Sequence, residues 1–311
     1  MKGVHLIILL FFCFFKAYSQ QPPGIYFDDI NNFWKSYEQN LQCNSDSCVK
    51  AIIKNEYLPN SSKCYKELLN EKRFDLSAVY QFWKYPLFLA SLKSWSQQLY
   101  TIKDSILFFC NKAQQLYAGN PLNDIYFMIS SWNQGGTVVP SGLSIGIQYF
   151  CCYDSLNVSE IGKTKAANIS SRDKLIPVII HEQIHKWRKY ENTQYVYEAC
   201  MREGNCDFVS YMITGQIVAP NERWNYFEVI KDSISNVFKK EYAAKRNAND
   251  WISIESKKFN FGAAGYYIGF KICEVFYKRS KNKTKAMHQI IEMKNPMQIL
   301  KESHFLATIK K

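Results

Sequence analysis

The sequence predicts an α+β fold, a mainly helical body with a small mixed β-sheet packed beside it. Three observations carry this. Residues 25–120 space their apolar side chains as helices do. At Ile125 the period shortens, and three short apolar runs follow within 26 residues. From Leu175 onward helical spacing returns and continues into the C-terminal third.

Within the first helical stretch, 77–98 is densely apolar, and Pro86 marks a break or kink. A second helical segment covers 101–117. The strands are expected at Ile125-Tyr126-Phe127-Met128-Ile129, at 136–139 and at 143–150, the last two separated by the turn signal Pro140-Ser141-Gly142. The run Leu175-Ile176-Pro177-Val178-Ile179-Ile180 opens a buried helix whose first turn tolerates the proline, with Ser171 or Asp173 as its cap. Further helices are expected at 195–214, 222–244 and 263–277. The organisation is a leader at 1–19, a helical N-terminal region at 20–120 and a second region at 121–311, the last two forming one compact unit.

The buried helix ends in His181-Glu182-Gln183-Ile184-His185. Positions i and i+4 share a helix face, so both imidazoles can reach one metal ion. Glu182 sits about 100° further round; it can reach a water in the metal's open position without being a ligand. This H-E-x-x-H spacing is that of zinc peptidases. A catalytic zinc takes three protein ligands, and Glu203 on the next helix, 18 residues after His185, is the candidate third. Asp207, one turn beyond, can hold the outer nitrogen of a ligating histidine. The competing metzincin pattern needs Gly at 188 and His at 191, where this chain has Arg188 and Glu191. Glu191 is the weaker candidate, because without glycine the chain is less free to make the required turn. His288 and His304 are read as surface residues.

His181, Glu182, His185, Glu203 and Asp207 together resemble the gluzincin metallopeptidases, the thermolysin-like group. Glu203-Gly204-Asn205-Cys206-Asp207-Phe208 is similar to an element of bacterial predicted secreted zinc-dependent proteases, a family related to gliding-motility-associated lipoproteins. Gly135-Gly136-Thr137, Gly142-Leu143-Ser144-Ile145-Gly146 and Gly265-Tyr266-Tyr267-Ile268-Gly269 resemble that family more loosely. The resemblance spans about 120–275. It implies a zincin core and one Zn²⁺ held by His181, His185 and Glu203. It also implies peptide-bond hydrolysis with Glu182 as general base, and Tyr266 or Tyr267 as the donor that stabilises the oxyanion. It places the strand at 143–150 on the cleft wall, with an edge for an extended peptide. Two alternatives stay open: a non-catalytic envelope protein that keeps the fold, and a zinc hydrolase of a cell-wall amide.

Lys2, the apolar run 4–15 and Ala17-Tyr18-Ser19 read as a cleaved export signal, so the mature chain is expected to be secreted or periplasmic. An uncleaved anchor is the alternative. No later run is long enough to span a membrane. The formal charge of +12 falls to +10 without Lys2 and Lys16. Export and the lack of a binding motif argue against nucleic acid. Basic runs at 186–189 and 278–285 are either solvated faces or a means of contacting anionic envelope polymers. Nine cysteines follow the leader, an odd number. Cys43 and Cys48 suit a small-loop disulfide, and Cys151, Cys152, Cys200 and Cys206 are further candidates. The absence of any C-x-x-C pair argues against a zinc ribbon.

Overall fold

The computed structural model describes residues 21–308 except 74, 119, 133, 134, 191, 246, 247 and 257. The expected leader and Glu191 lie outside the described residues. The helices before the main strands are α1 Asp28–Asn40, α2 Asp46–Ile52, α3 Lys63–Asn70, α4 Leu76–Phe82, α5 Pro86–Gln98 and α6 Lys103–Leu116. The strands are β1 Ile25–Tyr26, β2 Ile125–Met128, β3 Gly136–Val139 and β4 Gly142–Gly146. The chain continues through α7 Gly162–Ala166, α8 Leu175–His185, α9 Val196–Thr214, α10 Asn221–Val229, α11 Lys231–Glu241, α12 Asn249–Ile252, α13 Ala264–Arg279, α14 Lys283–Glu292, α15 Pro296–Ser303 and α16 Phe305–Thr308. The fold is thus mainly helical with one small mixed sheet.

The sheet order is β1-β2-β4-β3. β2 pairs in parallel with β1 and β4, and β3 closes the sheet as an antiparallel hairpin with β4. Central strands buried on both faces should read as continuous apolar runs, and every residue of β4 is buried. Gly142 lies so close to the preceding chain that a Cβ would meet the Asp124 carbonyl at 2.6 Å, which only glycine permits. Glu67 of α3 fastens the hairpin tip by accepting from the Ser141 N–H at 2.8 Å and its hydroxyl at 2.7 Å.

Several expectations need correction. β1 brings the N-terminal region into the sheet, a two-residue strand hidden in a stretch read as helical. The run at 143–150 is strand only as far as Gly146, and then turns as a 3-10 helix. β4 is an interior strand, and the edges of the sheet are β3 beside it and β1 on the far side. At Pro86 the structure has the break and not the kink: α4 ends at Phe82 and Pro86 starts α5, as its missing N–H allows at a first turn. The segment 222–244 breaks at Ile230 into α10 and α11. Neither Ser171 nor Asp173 caps α8; a 3-10 turn over Arg172–Lys174 intervenes, and the two side chains bond each other. Of the expected disulfides, Cys43–Cys48 is formed. Cys151, Cys152, Cys200 and Cys206 are free thiols. Cys200 and Cys206 lie on one helix, where six residues rise about 9 Å, beyond the span of a disulfide.

Among the described residues no helix is long and apolar enough to cross a membrane.

Candidate metal centre

α8 is apolar on nearly every side, as a helix in the middle of a core must be: Leu175, Pro177, Ile179, Ile180 and Ile184 are all buried. Three ties fix it. Gln183 exchanges two hydrogen bonds of 2.8 Å with the Asn123 backbone ahead of β2. The Ser210 hydroxyl of α9 donates to the Pro177 carbonyl at 2.7 Å. Gly215 then ends α9 in the left-handed conformation, φ 74°, that a helix C-terminus favours. α8 and α9 therefore hold a defined crossing, and their polar residues meet inside it.

The two histidines meet through their Nε2 atoms, 3.1 Å apart. Glu203 Oε2 lies 3.6 Å from His181 Nε2 and 3.3 Å from His185 Nε2. Three donors thus face a common point. The other Glu203 oxygen accepts from Arg202 Nε at 2.7 Å, which fixes the carboxylate. Behind His181, Asp207 Oδ1 lies 2.6 Å from Nδ1. Burial alone would lower the His181 pKa. The Asp207 and Glu203 partners, with the Glu182 charge, outweigh it and hold the imidazole well above its usual value. Glu203 is held well below the usual carboxylate range: burial opposes ionisation, but the two imidazoles overcome it.

A third element shares the site. Cys206, buried, sits three residues beyond Glu203 on α9, and its Sγ is 3.4 Å from His185 Nδ1. His181, His185 and Cys206 offer ligand atoms within 4.8 Å of one another and form a group that could hold a metal ion. Glu203 joins the Nε2 side, where His181 also points; Cys206 lies on the outer Nδ1 side. Burial pushes the Cys206 thiol well above its usual range, and the Glu203 charge adds to this. The Nε2–Nε2–carboxylate set is the better-disposed one, because its three donor atoms converge on one point. Arg188 Nη1 also lies 2.8 Å from His185 Nδ1.

A cleft of about 640 Å³ opens beside the cluster, and His181, Glu182, Asp207 and Tyr266 line it. Glu182 rests against β3: a Cβ on Gly136 would come within 3.0 Å of Glu182 Cγ and 3.2 Å of its Oε1. Of the two candidate tyrosines, Tyr266 faces the candidate ligands, its ring 6.0 Å from the His181 ring at 17°. Burial, the charges of Glu203, Asp207 and Glu182, and a hydrogen bond to Glu203 push its hydroxyl well above the usual range. Tyr267, one step round α13, packs its ring against Trp224 and Phe227 and pairs its hydroxyl with Glu228. His288 and His304 take no part: one meets the Leu116 carbonyl and the Tyr117 ring, the other is exposed.

Sequence reasoning missed three features. Cys206 was legible by its i+3 spacing from Glu203 but was read only as a disulfide candidate. Gly136 gave no signal of its contact with Glu182. Arg223, at the start of α10, also lines the cleft, and nothing in its local sequence marks it. Compared with protein-family models, curated proteins and solved structures, the chain finds no match.

Proposed function

We propose that the chain is an exported zinc-dependent hydrolase of peptide bonds, with a thermolysin-like core in which His181, His185 and Glu203 hold one zinc ion. The triangle of donor atoms carries this reading. Tetrahedral zinc with bonds of about 2.05 Å sets neighbouring ligands about 3.3 Å apart. The edges here are 3.1, 3.3 and 3.6 Å. Two imidazoles and a carboxylate are also a donor set of catalytic zinc, which leaves a fourth position open.

When bound, zinc supplies a Lewis acid that polarises a carbonyl and lowers the pKa of water towards neutrality. The chain's own residues do the rest. Asp207 holds His181 Nδ1 and so presents Nε2 to the ion. Glu182, steadied by β3, takes the proton of the attacking water on its carboxylate and passes it to the leaving amine. Tyr266, kept protonated by its buried and acidic surroundings, donates to the developing oxyanion. The outer edge of β3 offers backbone groups to an extended substrate.

Two consequences concern metal binding. Asp207→Asn is expected to weaken zinc binding about 10- to 100-fold, measured by competition with a chromogenic chelator. Zinc must also displace the proton that His181 holds above its ordinary value of 6.5. Affinity should therefore rise about tenfold per pH unit until the raised pKa is passed. The stability of chelator-treated protein moves the other way: the contribution of the His181–Asp207 pair is full below 6.5 and is lost as pH rises through the raised value. Zinc should thus raise Tm more at about pH 8 than at about pH 6.5. An equal shift at both would contradict the assigned proton.

Cys206 favours one second reading, a structural site in a non-catalytic protein, closed when the Cys206 thiolate joins His181, His185 and Glu203. A peptide library incubated with zinc-loaded, chelator-stripped and zinc-restored protein tests the hydrolytic reading. Cleavage is expected in the first and third. No cleavage with zinc bound would overturn it.

A further inference from the structure

The hydrolytic reading leaves the cationic residue of the cleft without a task. Arg223 lines the same cavity as His181, Glu182 and Tyr266. It is half-buried, and its Nε is closed off from solvent with no hydrogen-bond partner. Tyr266 and Asp207 are the groups whose charge it feels, but Asp207 Oδ1 is already engaged by His181 at 2.6 Å. Burial pushes the guanidinium below its usual range, so holding it there costs stability. An arginine with a structural task is normally paired when it is withdrawn from water. Here the neighbouring wall is apolar, built by Val218, Pro220, Trp224 and Phe227. Glu255, a further carboxylate in the lining, is exposed.

Among the described lining residues, Arg223 is the one lysine or arginine side chain. Its fork of N–H donors matches the two oxygens of a carboxylate. The apolar wall suits the stem that carries such a group, and a net charge of +12 attracts acidic ligands to the molecule as a whole. We propose that Arg223 receives a carboxylate of the substrate, so that the cleft selects peptides with an acidic group beside the bond to be cut. The proposal rests on the hydrolytic reading of the site. The group can come from an Asp or Glu side chain or from a free C-terminus, which offer the same chemistry.

The test uses full-length mature protein loaded with zinc. Matched peptides carry Glu or Gln at each position flanking the cut, with the C-terminus free or amidated. Carboxylate-bearing peptides should show a KM roughly 10- to 100-fold below their neutral partners, the range of a charged hydrogen bond. Arg223→Gln should raise that KM to the neutral value and so abolish the difference between the matched peptides. Arg223→Lys, which keeps the charge but not the fork, should restore part of the preference. The arm in which the preference disappears identifies side chain or terminus as the source. Calorimetry with N-acetylglutamate and N-acetylglutamine, each as the free acid and as the α-amide, on Glu182→Gln protein with and without Arg223→Gln, reads the same site without turnover, the α-amide of N-acetylglutamine being the ligand without a carboxylate. Peptides cut with no acidic preference, or a preference that survives Arg223→Gln, would overturn the proposal and leave the hydrolytic reading standing. Arg223-dependent binding of N-acetylglutamate with no peptide cut would keep the carboxylate site and remove the hydrolytic reading. Neither cutting nor binding would remove both.

Discussion

Replacing Glu182 with Gln is expected to lower kcat for peptide hydrolysis by about 10²- to 10⁴-fold, the usual contribution of a positioned general base, while zinc content stays unchanged. The substitution keeps the shape of the side chain and its rest against Gly136, where an added Cβ would come within 3.0 Å of Glu182 Cγ. It removes only the capacity to take a proton. Because the lost interaction belongs to the transition state, kcat and kcat/KM should fall together, with KM nearly constant. Metal analysis and steady-state kinetics on the same preparation check this. A Glu182→Gln protein with wild-type kcat would remove Glu182 from the mechanism.

Gly204→Ala and Gly269→Ala are expected to be the most damaging small substitutions near the site. α9 and α13 cross in backbone contact: a Cβ at Gly204 would lie 2.2 Å from the Gly269 carbonyl carbon, and one at Gly269 would lie 2.0 Å from the Cys200 carbonyl oxygen. Alanine improves helix propensity by about 1 kcal/mol. Overpacking costs about 1–3 kcal/mol where side chains can yield, and here the obstacle is main chain, so the cost belongs at or beyond the upper end. The helices must part. Glu203 adjoins Gly204, and Tyr266 precedes Gly269 by one turn, so the ligand and the hydroxyl move with them. Denaturant unfolding should show a net loss of roughly 2 kcal/mol or more, and zinc affinity should fall as well. Unchanged stability in both variants would contradict the close crossing.

The parts of the site legible in the sequence are those set by local geometry. His181 and His185 share a face because they are one turn apart on one helix, and Asp207 follows Glu203 for the same reason. That α9 returns across α8 to bring Glu203 to both Nε2 atoms depends on packing, on Ser210 reaching Pro177 and on the glycine crossing with α13. The two-residue β1 has too few residues to show any period. The interior position of β4 follows from which strands pair, which is not a local property, so the edge was assigned to the wrong strand of a correctly placed hairpin. Ile230 divides α10 from α11 without a proline or glycine to mark the break. Arg223 reaches the cleft only because the turn after Gly215 carries α10 back against α13, where Trp224 packs on Tyr267 and Phe270, and no spacing in the sequence encodes that return.

X-ray absorption at the zinc edge of the loaded protein tests the ligand assignment most directly. Coordination by His181, His185, Glu203 and a water predicts a shell of nitrogen and oxygen alone, near 2.0–2.1 Å. A sulfur neighbour at about 2.3 Å would place Cys206 on the ion, close the site and contradict the catalytic reading.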